Sequence, residues 1–293
     1  MSDQMIRALT LDGAIRVSVA STTALVDEVR RRQQTDPTAS VAIGRLATAA
    51  ALMGSLLKGQ QRVGLTIEGN GPLQRLQAET DAHGQVRATL KMASAGLPPR
   101  NGRFDVAGAI GNAGFLHVVK DLDMKEPYRG TVQLVSSEIA EDLAYYFTTS
   151  EQTPSSVALG VELGQNAEVV AAGGFLVQLM PGADEALADR LAERLGSLPP
   201  TTSMLRQGLA PAAIVERLLQ DFPYQTLATT PLFFACSCSQ QQTLRLLRSL
   251  GAEELDQLIE EDGEAHVTCE YCKESYSVDG AALREIRSSL NGS

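Results

Sequence analysis

All four cysteines of this 293-residue chain lie between Cys236 and Cys272, and none precedes them. That placement divides the folding problem in two. Residues 1–235 have no sulfur with which to form a disulfide or hold a metal, so an apolar core must stabilise them. With 44% hydrophobic and 20% charged residues, the chain has the composition of a globular protein and the length for one large core. The remainder, about sixty residues, is marginal as a fold without a staple, and it carries every sulfur that can provide one.

The pairs are Cys236-Ser237-Cys238 and Cys269-Glu270-Tyr271-Cys272. A CxxC followed by Lys273 is a zinc-knuckle spacing: two sulfurs reach one ion while nearby backbone amides hydrogen-bond to them. CxC also places two sulfurs near one ion. Four thiolates at about 2.3 Å complete a closed tetrahedral zinc site with no position for a catalytic water. The expected metal ligands are therefore Cys236, Cys238, Cys269 and Cys272, one Zn(2+) per chain, in a structural or redox role. Spacing alone leaves both roles open. His266 stands three residues before Cys269 but is left outside a set that four sulfurs already fill. His83 and His117 have no sequence neighbours that suggest catalysis. No catalytic residue is assigned, and no enzyme activity is expected.

Net charge narrows the partners. At −10 the chain lacks the surplus of Lys and Arg that phosphate backbones require, so no nucleic-acid partner is expected. Arg30-Arg31-Arg32 reads as a solvated helix face. Residues 1–26 lack a secretory signal pattern. The most apolar helical stretch, Val41 to Leu57, is interrupted by Arg45 and is short for a membrane span. A cytoplasmic protein with reduced thiols and no membrane partner is expected.

Periodicity gives an α+β fold. A strand pair over Met5 to Val19 turns at Asp12-Gly13, and helices follow over Thr22 to Arg32 and Pro37 to Leu57. Val63 to Ile67, Leu73 to Ala78 and Gln85 to Leu90 form a meander. Strands at Phe115 to Val119 and Gly130 to Val135, a helix over Glu138 to Phe147, and strands at Val157 to Leu163 and Glu168 to Met180 complete a core domain, 1–180. Gly108, Gly111 and Gly114 read as turns, not as a nucleotide loop, and no cofactor-binding residues are assigned. Residues 181–231 read as an amphipathic, mainly helical linker. One helix spans Ala183 to Leu195, and another starts at Pro211 with Ile214, Val215, Leu218 and Leu219 on one face. The terminal zinc domain, 232–293, opens a helix at the capping pair Ser239 and Gln242, stops it at Gly251, and carries a second helix with Leu255, Leu258 and Ile259. A short hairpin, Val267-Thr268 with Tyr276 to Val278, flanks the second cysteine pair.

The stretches Phe234-Ala235-Cys236-Ser237-Cys238-Ser239 and Val267-Thr268-Cys269-Glu270-Tyr271-Cys272 resemble the 33 kDa chaperonin family, the redox-regulated bacterial heat-shock holdases. The resemblance extends along the chain. It includes Gly44-Arg45-Leu46 through Leu57-Lys58, Gly69-Asn70-Gly71-Pro72, Tyr146 through Gln152, and Gly173 through Gln178. Two departures stand out: Arg87-Ala88-Thr89 where the family usually has Arg-Gly-Tyr, and Gln240-Gln241 where it usually has Arg-Glu. The resemblance implies an ATP-independent holdase that protects unfolding client proteins from aggregation. Its reduced, zinc-bound monomer would be inactive. Oxidation would give an active disulfide-bonded homodimer with the pairs Cys236–Cys238 and Cys269–Cys272. Loss of the zinc ligands should unfold the terminal domain. The linker, expected to pack against that domain, would then expose Ile214, Val215, Leu218, Leu219, Phe222 and Tyr224. A zinc-ribbon nucleic-acid-binding protein and a scaffold with permanent zinc are the alternatives.

Overall fold

The computed structural model describes residues 2–100 and 102–290. The chain divides into two compact units, Met1–Ala235 and Cys236–Ser293.

In the first unit, β1 (Gln4–Thr10) and β2 (Ile15–Ser21) form a hairpin. Its turn uses Gly13 at φ +74°, a conformation only glycine adopts freely, and the Gly13 N–H donates to the Thr10 carbonyl at 2.9 Å. Helices α1 (Thr23–Gln33) and α2 (Pro37–Gly54) follow. Strands β3 (Arg62–Gly69), β4 (Arg75–Asp81) and β5 (Gln85–Leu90) form the meander. Next come the short α3 (Val106–Ile110), β6 (Gly114–Asp121), β7 (Tyr128–Gln133) and α4 (Ala140–Ser150). The long strands β8 (Ser155–Leu163) and β9 (Val169–Leu179) precede α5 (Glu185–Gly196), α6 (Thr201–Arg206) and α7 (Pro211–Leu218). β10 (Tyr224–Pro231) and β11 (Phe233–Phe234) close the unit.

These strands build a five-stranded antiparallel sheet, β10-β1-β2-β9-β8, and a six-stranded sheet, β11-β5-β4-β3-β6-β7, in which β11 alone pairs in parallel. Helix α2 packs on strands of both sheets, and every one of its residues except Pro37 and Arg45 is buried. This burial explains its composition: a helix enclosed all round needs apolar residues on every face, and its many alanines allow close approach. Gly44 is the tightest point, since a Cβ there would lie 2.5 Å from a Val26 methyl on α1. Asp36 starts α2, accepting from the Ala39 N–H at 2.7 Å and tying in the 94–96 loop through Ser94, Ala95 and Gly96. A comparable device opens α4. The buried Asp142 carboxylate accepts four backbone N–H groups, from Val135, Ser136, Ser137 and Ile139, at 2.7–3.3 Å. It holds Ser137 (φ +60°) and the β-branched Ile139 (φ +71°) in the left-handed region, where such residues are rare.

The linker segment supplies a second apolar layer. Leu191, Met204, Ile214, Val215, Leu218, Leu219 and Phe222 are buried against Ile6, Ala8, Ile15, Val17, Val19, Phe175 and Val177. Alternation along β1 and β2 sends these strand residues to the face opposite α2, so the five-stranded sheet is apolar on both sides. The faces expected to pack on the terminal domain thus pack on this sheet. The reason is complementarity between an i, i+3, i+4 helical stripe and an apolar strand face. Residues 224–231 are also not helical: β10 pairs antiparallel with β1 from Tyr224 opposite Thr10 to Pro231 opposite Gln4. Gly108 lies inside α3, Gly111 caps it, and Gly114 opens β6.

The second unit contains α8 (Gln240–Leu250), α9 (Ala252–Glu261), the hairpin β12 (Glu264–Thr268) and β13 (Ser275–Asp279), and α10 (Gly280–Leu290). Its core is small: Leu247, Leu255, Ala265, Val278 and Leu283, with Leu244, Leu258, Ile259, Val267 and Ile286 packed around them.

Candidate metal centre

Two local structures deliver the sulfurs. Cys236 and Cys238 lie on the extended segment that leads into α8. Ser239 starts that helix, its hydroxyl oxygen accepting from the Gln242 N–H at 3.3 Å. Cys269 and Cys272 occupy the turn of the β12–β13 hairpin, where Val267 faces Tyr276 and Thr268 faces Ser275. The turn is closed by the Cys269 N–H donating to the Glu274 carbonyl and the Lys273 N–H donating to the Cys269 carbonyl, each at 2.9 Å. Lys273 adopts φ +62° to complete it.

All four cysteines are reduced thiols, and their sulfurs lie within 4.8 Å of one another. The Sγ atoms of Cys236 and Cys269 are 3.7 Å apart, and those of Cys238 and Cys272 are 3.1 Å apart. Each close pair thus takes one sulfur from each motif. A tetrahedron with metal–sulfur bonds of about 2.3 Å has edges of about 3.8 Å, so the set has the dimensions to hold a metal ion. Cys272 is buried, and the other three are partly exposed. Burial pushes the Cys272 thiol well above its ordinary range, the neighbouring sulfurs add to the push, and the Glu274 backbone N–H opposes it. Packing four thiols together therefore disfavours thiolates in the absence of a cation.

The hairpin contributes a further group. The Tyr276 hydroxyl donates to Cys238 Sγ at 3.2 Å, and this bond is the main cause that raises the phenol to about 12. Nothing in the sequence marks Tyr276 as part of the site: it occupies an ordinary aromatic position in a strand, and only the hairpin register aims it at the other cysteine motif. Gln240, at one of the departures from the family pattern, donates to the Ser277 carbonyl at 3.2 Å and ties the start of α8 to the same strand. His266 lies outside the sulfur set, with its ring nitrogens on Ser277 Oγ (2.9 Å) and Glu264 (3.0 Å). His117 is on the six-stranded sheet beside Thr131.

A family model described as Hsp33 protein matches residues 3–279. The chain belongs to the Hsp33 family. It is 55% identical over 286 residues to the 33 kDa chaperonin of Syntrophotalea carbinolica, covering 98% of this chain and 99% of that one. It is 48% identical to the 33 kDa chaperonin of Geobacter sulfurreducens, covering 99% and 96% of the two chains. The crystal structure of the 33 kDa chaperonin, heat shock protein 33 homolog, from Thermotoga maritima superposes over the full length of both chains with a TM-score of 0.90 at 32% identity. The Hsp33 match spans both compact units, including the four cysteines. Among the described residues, no helix is long and apolar enough to cross a membrane.

Proposed function

We propose that this chain is a redox-regulated, ATP-independent holdase, working in the cytoplasm and without enzymatic activity. It would bind unfolded client proteins when oxidised and be inactive when reduced and zinc-bound. Membership of the Hsp33 family supports the chaperone reading. The observation that carries the regulation is the set of four reduced sulfurs within 4.8 Å of one another, in the unit with the small apolar core.

Cys236, Cys238, Cys269 and Cys272 would hold the ion, and a soft, closed thiolate set suits Zn(2+). Bound zinc supplies folding free energy, about 10–16 kcal/mol in zinc-dependent peptides. Only five residues form the centre of the second unit's core, so a contribution of that size would be a large share of its stability. Oxidation by a peroxide-class oxidant would convert Cys236–Cys238 and Cys269–Cys272 to disulfides, each formation passing two electrons from a pair of thiolates to the oxidant and leaving the ion without those ligands. Those bonds close very short loops, worth roughly 2 kcal/mol each in the chain-entropy model, and leave the two halves of the site unjoined. The sulfur proximities frame a test, because disulfides between the 3.7 Å and 3.1 Å neighbours would instead staple the halves together. Peptide mapping of the oxidised protein should find the bonds within each motif.

Residues 181–231 act in this proposal as the responsive linker, though their resting partner is the five-stranded sheet. The route to it is the chain itself. Cys236 follows Ala235, whose N–H donates to the Val86 carbonyl at 3.1 Å, and β11 and the edge strand β10 come immediately before. Unfolding that spreads back through these strands would loosen α7 and expose Ile214, Val215, Leu218 and Phe222, the apolar surface a holdase requires. Oxidised chains would associate as homodimers through such surface. The deciding experiment is light scattering of a chemically unfolded client without ATP. Oxidised protein should suppress aggregation and reduced zinc-bound protein should not. Equal protection by both forms would remove the switch, and protection by neither would favour a scaffold with permanent zinc.

A further inference from the structure

The two cysteine motifs come from separate pieces of chain, and two groups of β13 link one to the other. Tyr276 belongs to the hairpin that carries Cys269 and Cys272, yet its hydroxyl donates to Cys238 of the CxC motif at 3.2 Å. One residue on, the Ser277 carbonyl accepts from Gln240, two residues beyond Cys238. The second contact only ties the Gln240 side-chain amide to a backbone carbonyl. The first touches a sulfur, and a hydroxyl donor draws charge from a thiolate and fixes its orientation. Outer groups that hydrogen-bond to metal ligands commonly change metal affinity by about 10–100-fold when removed.

We infer that Tyr276 is a positioning residue of the sulfur site, which holds Cys238 in the metal-binding arrangement and restrains its reaction with electrophiles. This rests on the zinc-binding reading above and deepens it: of the four sulfurs, Cys238 would have its reactivity set by a side chain of the opposite motif. Tyr276→Phe keeps the ring and removes only the donor.

The test uses the full-length, zinc-loaded, reduced protein. Zinc affinity is measured by chelator competition. Site-resolved alkylation by iodoacetamide, in which a sulfur–carbon bond forms and iodide leaves, is read by peptide mass spectrometry as the Cys238:Cys269 ratio. Tyr276→Phe should lower zinc affinity about tenfold and raise that ratio at least about threefold. Gln240→Ala, which cuts the tether without touching sulfur, should leave the ratio unchanged. Site-specific 3-fluorotyrosine at 276, a stronger donor of nearly the same shape, should lower it, and this arm remains informative if the Phe variant folds poorly. An unchanged ratio in both Tyr276 variants, or equal acceleration at all four cysteines, overturns the inference and leaves zinc binding intact. Failure of the unaltered chain to bind zinc would overturn this inference together with the reading beneath it.

Discussion

The two compact units solve the same problem with different means. In residues 2–235, two sheets and the helices packed on them bury side chains as large as Tyr146, Phe147, Ile43, Leu46 and Met53 to below 2% exposure, and polar devices such as Asp36 and Asp142 fasten the helix starts. In residues 236–290 three helices and one hairpin surround five buried apolar residues, and the four sulfurs sit where the segment before α8 meets the hairpin turn. The difference is one of surface to volume. A chain of about sixty residues encloses only marginally enough apolar area to offset its conformational entropy, whereas the larger unit has ample area to do so. Under the proposed function, the sensor sits in the unit whose core is the smaller.

The sharpest way to break this contrast is to remove the ligands. Chelation of the metal, or Cys269→Ser, should abolish amide dispersion for residues 236–290 in an NMR spectrum while the remaining signals persist. The effect is on the order of the 10–16 kcal/mol that such sites contribute. A second unit that stays folded without metal would erase the distinction.

Next in size is the apolar layer contributed by the linker. Leu218 is fully buried against the five-stranded sheet, so Leu218→Ala should destabilise the first unit by about 2–5 kcal/mol in denaturant unfolding. A cost below about 1 kcal/mol would mean that α7 is not part of the larger unit's stability.

A smaller effect, with a pH signature, comes from Asp3. Its carboxylate accepts from the Leu25 N–H near the start of α1 at 2.7 Å. Burial nevertheless raises its pKa to about 6 from 3.8, against the pull of the backbone hydrogen bonds. The folded state therefore favours the neutral acid. That contribution is complete below about pH 4 and is lost as pH rises through 6, leaving a buried charge at neutral pH. Asp3→Asn should consequently raise the melting temperature more at pH 7.5 than at pH 4.5, the difference corresponding to about 2 kcal/mol. An equal change at both pH values would contradict the assignment. At the bottom of the scale, the exposed Arg206–Glu162 pair should be nearly silent, with Arg206→Ala costing less than about 0.5 kcal/mol.

Sequence periodicity was sufficient where burial is one-sided or complete. The opening hairpin, α2, the meander and the starts of α5, α7 and α8 lie where apolar spacing, Pro211 and Ser239 placed them. It was insufficient where an element is defined by its neighbour. β10 is uncharged but only weakly alternating, and it becomes a strand because β1 presents an open edge. β11 has two residues and exists through pairing with β5. α10 carries a readable signal, with Asp279 accepting from the Ala282 N–H at 2.8 Å and Leu283, Ile286 and Leu290 at helical spacing.

At the candidate metal centre the division is similar. Four sulfurs in two close-spaced pairs name themselves as a donor set, because local spacing fixes how near two thiols in one motif must be. The family resemblance is legible in the same motifs, and the marginal size of the small unit follows from its length. Tertiary structure decided the rest. It placed the linker helices on the five-stranded sheet, brought Cys236 beside Cys269 and Cys238 beside Cys272, and turned Tyr276 toward the opposite motif. These are contacts between residues distant in sequence, and their partners are fixed by strand register and packing, which no local pattern encodes.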